Sequence, residues 1–304
     1  MKIISIIFAS IVALIMPLNS FANASDTLEK IKNTGTVTIG VRESSGLAYS
    51  LGKGEYVGFH TDLARNIVND ISKDLNKPIN IIYQPITSEN RIPLLENGTI
   101  DFECGSTTNN VARAKKADFA YTTFVEETKI VVKKNSGIKN FDDLKGKTVA
   151  TTAGSNTVIV IKRKQREKHI NLNLITARDH ADCFLLLESG RADAFVMDAS
   201  ILAALIAKSK NPQDYVILDD TLSVEPIACM LRLHDDQFKN LINQSIVRQI
   251  KDGTLNKLYD KWFLQPIPPN NVTINLPLSP LTIRAWENPN ADPTEAYPEN
   301  QRKR

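Results

Sequence analysis

The chain has 304 residues, with 37 Lys and Arg against 34 Asp and Glu and a formal charge of +3. That balance, with no long basic run before the last four residues, excludes a typical nucleic-acid binder and makes any cationic chemistry local. Three cysteines, Cys104, Cys183 and Cys229, are too few for a disulfide-dense scaffold, and no CxxC or histidine cluster points to a metal or cofactor.

The chain opens with Lys2, an apolar run over residues 3–16 and a small-residue site, Ala22-Asn23-Ala24. This is the pattern of a secretory signal peptide. The run is shorter than the roughly 20 residues a spanning helix needs, so cleavage after Ala24 and export are expected. Cleavage removes Lys2 and no acid, taking the formal charge from +3 to +2. About 280 residues remain, which suits two lobes. In an oxidising compartment, three cysteines predict one pair and one free thiol.

TVTIGV (36–41) alternates and is β-branched, which predicts a strand. Phe59, Leu63, Ile67, Ile71 and Leu75 form one stripe, which predicts an amphipathic helix over 59–76. INIIYQPI (79–86) is a strand, and SENRIPLLENG is a short helix that Ser88 can cap and Gly98 can end. Residues 100–104 predict a strand, and Thr108 can cap a helix starting near Asn109. YTTFVEETKIVVKK (121–134) is a long strand-like run. FDDLKGKTVATTAGS gives a short helix, a strand and a small-residue turn, and NLNLITA (171–177) a strand. HADCFLLLESG is a helix, ADAFVMD a strand and ASILAALIAKSK a helix. DYVILDD and VEPIACMLRL are strands, followed by helices over DDQFKNLINQSIVRQIKDG and TLNKLYDKWF. The Pro- and Asn-rich tail wraps the surface and frays toward Arg304. Strand–helix–strand alternation implies α/β architecture with largely parallel sheets.

LLENGTIDF (94–102) and LLESGRADAF (186–195) share a helix end, a glycine stop and a strand with Asp at matching offset. Two lobes built on this unit would face each other with the carboxyl ends of their strands, where open α/β sheets bind ligands. Cationic donors recur at such edges. Arg42 follows the first strand, Ser88 and Arg91 begin the next helix, and Ser106, Thr108 and Arg113 follow the strand at 100–104. His180 begins a helix of the second half. Asp198 ends a strand there, as an N-cap or as an acceptor for an ammonium group. Several cationic donors with one acid suit a zwitterion carrying an additional carboxylate, an acidic amino acid.

The stretches ITSENRIPLLENGTIDFECGSTTNN, LESGRADAFVMD, IGVRESS, RDHADCF and DKWFLQPIPP closely resemble the periplasmic glutamate/aspartate-binding proteins, solute receptors of ABC-type importers, over roughly residues 27–275. The resemblance implies the type II two-lobed periplasmic binding protein fold, each lobe a mainly parallel sheet flanked by helices. Residues 25–121 with 230–275 form one lobe and 122–229 the other. The two hinge strands cross near residues 122–128 and 223–229, and residues 276–304 form a partly disordered tail. It further implies a periplasmic monomer that captures L-glutamate or L-aspartate by hinge closure and delivers it to membrane permease subunits, with no catalytic residue. Arg113, Ser106 and Thr108 would hold the α-carboxylate and Asp198 the ammonium. Arg42, Ser88, Arg91 and His180 would hold the side-chain carboxylate. Asn156 stands where the family has a threonine, and the usual Pro-Phe-Ser-Tyr run after Ser44-Ser45 is absent. Cys104 and Cys229 would lie on a strand of the first lobe and the strand returning to it, either bridged or as two buried thiols. A dehydratase-like enzyme on the same fold and a chemosensory receptor are the alternative readings.

Overall fold

A computed structural model describes residues 27–300; the leader assigned to residues 1–24 and the terminal QRKR lie outside them. Helix α1 (Thr27–Thr34) leads into β1 (Thr36–Arg42), the hairpin β2 (Tyr49–Gly52) and β3 (Glu55–Val57), α2 (Phe59–Asp74), β4 (Asn80–Ile86), α3 (Arg91–Glu96) and β5 (Phe102–Glu103). The long β6 (Asp118–Lys133) crosses to β7 (Thr148–Thr152), α4 (Asn156–Lys168), β8 (Asn173–Ala177), α5 (His180–Glu188), β9 (Ala194–Asp198), α6 (Ala199–Lys208) and β10 (Tyr215–Ile217). Strand β11 (Ser223–Leu231) returns to α7 (Asp236–Lys251), α8 (Thr254–Tyr259) and, in the tail, α9 (Pro280–Glu287).

The sheet order is β4-β1-β5-β11-β6-β9-β7-β8, with β10 beside β6. Within it β1 is parallel to β4 and β5, and β7 is parallel to β8 and β9. Between these two parallel sets run β6 and β11, paired antiparallel from Ser223↔Thr128 to Leu231↔Asp118. The result is two α/β lobes joined by a two-stranded ribbon. Each lobe buries its own apolar clusters. The stripe Phe59, Leu63, Ile67 and Ile71 of α2 packs into the first, with aromatic rings of Phe124, Tyr259 and Phe263. Ile130, Val149, Ile161 and Val196 pack in the second.

The internal echo is a structural repeat. Gly98 and Gly190 both adopt positive φ, +77° and +74°, and so stop α3 and α5 in the left-handed conformation that glycine tolerates. After each stop, one aspartate fastens the strand below. Asp101 N–H donates to the carbonyl of Thr38 and its carboxylate accepts from Thr38 N–H. Asp193 does the same with Thr148.

Some expected elements differ. No helix begins at Asn109: Thr108 forms a β-bridge with Ile227, and only a short 3₁₀ turn, Arg113–Lys115, follows. The backbone there is fixed by the neighbouring ribbon strand, with Asn109 N–H donating to Pro226 O. The strand expected over 100–104 pairs only at Phe102–Glu103. Ser88 does not cap α3; Thr87 and Asn90 bond each other there, which leaves Ser88 free for Arg42. Helix α4 was absent from the sequence expectation, because its β-branched start TVIVI reads as strand and KRKQREK has no apolar stripe; only Thr157, Val160 and Ile161 are buried. A disulfide joins Cys104, after β5, to Cys229 in β11, and Cys183 is a buried free thiol in α5.

The tail is described through residue 300 and wraps the surface as expected. It runs along the hinge ribbon and satisfies both of its open edges. On β6, Val125 N–H donates to Thr282 Oγ1 at 3.0 Å and Trp286 Nε1 donates to Thr123 O at 2.9 Å. On β11, Asn300 accepts from Val224 N–H at 2.9 Å and donates to Val224 O at 2.7 Å. Unpaired strand edges are costly when dry and sticky when wet, so the strap is structural. Trp286 is buried between them. Trp286→Ala should cost about 3–5 kcal/mol in urea unfolding; a loss under about 1 kcal/mol would show that the strap adds little to the fold.

Candidate functional site

The carboxyl ends of β1 and β5 and the loops after them face the ends of β7 and β9 across the cleft. Arg42 closes β1 with its side chain wholly buried. Its Nε donates to Ser88 Oγ at 3.2 Å, and Nη1 donates to Glu43 O and, across the cleft, to Asp179 Oδ1 at 3.0 Å. Nη2 has no partner among the described residues. Arg91, the first residue of α3, donates from Nη1 to Ser106 O at 3.3 Å and to the Thr107 hydroxyl, while its Nε is unpartnered. Burial, with Arg113 next, pulls its pKa down to about 9, so it stays cationic at neutral pH.

Arg113 donates from Nη1 to Thr108 O at 3.0 Å and reaches across the cleft from Nη2 to Gly154 O at 3.2 Å. Ser106 and Thr108 are both buried in the loop between Arg91 and Arg113. From the second lobe, His180 opens α5. Its Nδ1 meets Thr152 Oγ1 at 2.7 Å and its Nε2 is unpartnered. Burial, then Arg42 and Arg91, hold its pKa well below the usual imidazole value, so the ring is neutral. Asn156 spans the cleft, accepting from Asn110 Nδ2 at 3.0 Å and donating to Glu225 Oε2 at 2.7 Å. Asp198 sits at the N-cap position of α6, yet its side chain makes no cap bond. Burial, followed by Glu126 and Glu225, raises its pKa well above the ordinary carboxylate range, and Arg91 and Arg113 oppose this.

All nine residues expected from sequence thus converge on one cleft. Three buried donors, Arg42 Nη2, Arg91 Nε and His180 Nε2, lack partners on its inner side. A buried unsatisfied donor costs about 1–3 kcal/mol, more when charged, so such a cluster favours an anionic partner. The sequence reading missed Asp179, which pairs with Arg42, and Glu225, which holds Asn156. Their signals were weak: Asp179 is one of several acids in ARDHAD, and Glu225 is an acid inside an apolar strand. Tyr49 donates to Pro268 O at 2.6 Å, with Lys208 Nζ of the second lobe 4.2 Å from its ring centre.

Residues 37–265 match the family described as bacterial extracellular solute-binding proteins, family 3. The chain belongs to this family. It is 43% identical over 279 residues to the L-glutamate/L-aspartate-binding protein of Pseudomonas aeruginosa, covering 90% of this chain and 92% of that one. It is 44% identical over 269 residues to the glutamate/aspartate import solute-binding protein of Escherichia coli K12, covering 88% and 89%. Among solved structures, the P235GK mutant of an arginine-binding protein from T. maritima superposes with a TM-score of 0.68 at 29% identity, covering 77% of this chain and 98% of that one. The strap over the hinge lies beyond the residues matched to the family.

In this solute-binding protein the two lobes meet closely at Gly154. A Cβ there would lie 2.8 Å from Glu89 N and 2.9 Å from its Cα, and φ is +70°. Gly154→Ala should cost about 1–2 kcal/mol of stability through the left-handed backbone. It should also weaken binding of L-glutamate, the ligand class in both relatives' names, by about tenfold or more in calorimetry. Unchanged affinity would contradict a closed state packed this tightly.

Proposed function

We propose that this protein is a periplasmic receptor for L-glutamate and L-aspartate, which it captures by hinge closure and hands to the permease of an ABC importer. The observation that carries the reading is the trio of unpartnered buried donors, Arg42 Nη2, Arg91 Nε and His180 Nε2, next to Ser88. The side-chain carboxylate would accept from them. In the tautomer where Nδ1 accepts from the Thr152 hydroxyl, the neutral ring carries its proton on Nε2, the nitrogen that would donate to the anion. Arg113, Ser106 and Thr108 would hold the α-carboxylate, Asp198 the ammonium, and Asn156 would lie across the cleft mouth. The lobe limits suggested by the sequence, 25–121 with 230–275 and 122–229, place both crossings in β6 and β11. The protein acts as a monomeric receptor and not as an enzyme; its relatives are named for binding and import.

Hinge closure around a ligand is a recognised mode for two-lobed receptors. The Arg42–Asp179, Arg113–Gly154 and Asn110–Asn156 bonds are contacts that closure would make. An amide ligand would leave the guanidinium donors without their anion, a loss of about 2–5 kcal/mol for a buried charge pair.

Calorimetry with glutamate, aspartate, glutamine and asparagine should therefore show binding of the two acids and weaker or no binding of the amides. Binding of the amides alone would overturn the reading. Arg91→Ala should lose at least about 2 kcal/mol of glutamate affinity, roughly thirtyfold, with the fold intact by circular dichroism. Unchanged affinity would remove Arg91 from the side-chain pocket.

A further inference from the structure

Glu126 has no place in the ligand set, yet it is buried and bonds Ser200, two residues after Asp198. It lies on β6 opposite Glu225 of β11, in register across the hinge ribbon, and both side chains are almost wholly inaccessible. Two like charges facing each other across antiparallel strands destabilise a sheet, more so away from water. The two acids are not equally provided for. Glu225 accepts from Asn156 at 2.7 Å and from the Ser223 hydroxyl, and it also has the Thr108 hydroxyl and the Arg113 cation as neighbours. Among the described residues Glu126 is bonded only to Ser200: Oε2 accepts from its backbone N–H at 3.2 Å, and Oε1 meets its hydroxyl, to which a protonated Oε1 would donate.

Other charged and titratable groups around Glu126 do not relieve it. Glu127 is next to it on β6 and Asp198 comes from the end of β9. The phenol of Tyr259 approaches from α8 and feels its charge. The cations of this region, Arg91 and Arg113, act on Asp198 and Glu225. Ser200 is the second residue of α6, and Asp198 stands at the N-cap of that helix. Whatever grips Ser200 therefore fixes the start of the helix and the carboxylate that precedes it.

We propose that Glu126 is a positioning residue that carries a proton in the closed protein: as a neutral group it holds Ser200 and sets Asp198 to receive the ligand's ammonium. This rests on the acidic amino-acid reading only for the identity of the ammonium. Burial and its negative neighbours push the Glu126 pKa up to about 7 and push Asp198 up as well, so the two acids compete for one proton and an ammonium on Asp198 would leave it on Glu126. A neutral Glu126 also lets Asp198 take the negative charge that an ammonium needs. A charged Glu126 would favour protonation of Asp198 instead.

Two variants separate a neutral hydrogen-bonding role from an anionic one. Glu126→Gln, which keeps the shape and the neutral amide, should bind L-glutamate within about threefold of wild type at neutral pH, whereas Glu126→Ala should lose about tenfold or more. Two further readouts need no ligand. The infrared carbonyl absorption of buried protonated carboxyls at mildly acidic pH, to which Asp198 and Glu225 also contribute, should lose one component in Glu126→Gln. A group with a folded pKa above its unfolded value contributes stability that is lost as pH rises through about 7, so the melting-temperature advantage of Glu126→Gln over wild type should grow from about pH 5 to pH 8. Loss of affinity in Glu126→Gln equal to that in Glu126→Ala would overturn the proposal, as would a melting-temperature gap that does not change with pH. If wild type fails to bind acidic amino acids while the infrared and thermal results hold, the ligand reading fails and the protonated Glu126 stands.

Discussion

Arg42 is a guanidinium with no exposed surface, held at the end of the first strand, and only part of its donor fork is used by the protein. Burying such a group costs several kcal/mol unless it is paired and bonded on every side. Asp179 supplies a counter-charge, but it comes from the opposite lobe at 3.0 Å. The stability of the buried cation and the closure of the cleft are thereby the same problem. Arg91 repeats it one strand away, and the neutral His180 adds a donor without adding repulsion. The proposed ligand anion would complete this set.

The fold joins two separately packed lobes through two strands. Each lobe carries the same helix–glycine–strand unit, fastened by Asp101 in one and Asp193 in the other. These units present their polar loops toward each other across the cleft. Between them, β6 and β11 form a narrow ribbon whose outer edges at Thr123, Val125 and Val224 bond to the tail rather than to another strand. The tail supplies those partners from beyond the family-matched residues, and the Cys104–Cys229 bridge ties one ribbon strand to the loop that carries Ser106, Thr108 and Arg113.

Much of this was legible in the chain. The α2 stripe, the β-branched first strand and the repeated LLExG unit each follow from local periodicity and turn chemistry, and the structure has them where the pattern placed them. Arginines at predicted strand ends were readable as a group although no single one was. The failures have physical causes. TVIVI at the start of α4 has strand propensity, and tertiary packing of Val160 and Ile161 overrides it. The Thr108 loop carries a helix-cap signature, but pairing with Ile227 takes its backbone first. Glu126 facing Glu225 depends on the register of two strands about a hundred residues apart, and no local pattern encodes register between distant strands.

The measurement that tests the account most directly is a crystal structure of the protein grown with L-glutamate. The side-chain carboxylate should lie within about 3 Å of Arg42 Nη2, Arg91 Nε and His180 Nε2, with the ammonium on Asp198 and the Arg42–Asp179 bond intact. A carboxylate held elsewhere, with those three donors turned to water or to protein, would contradict it.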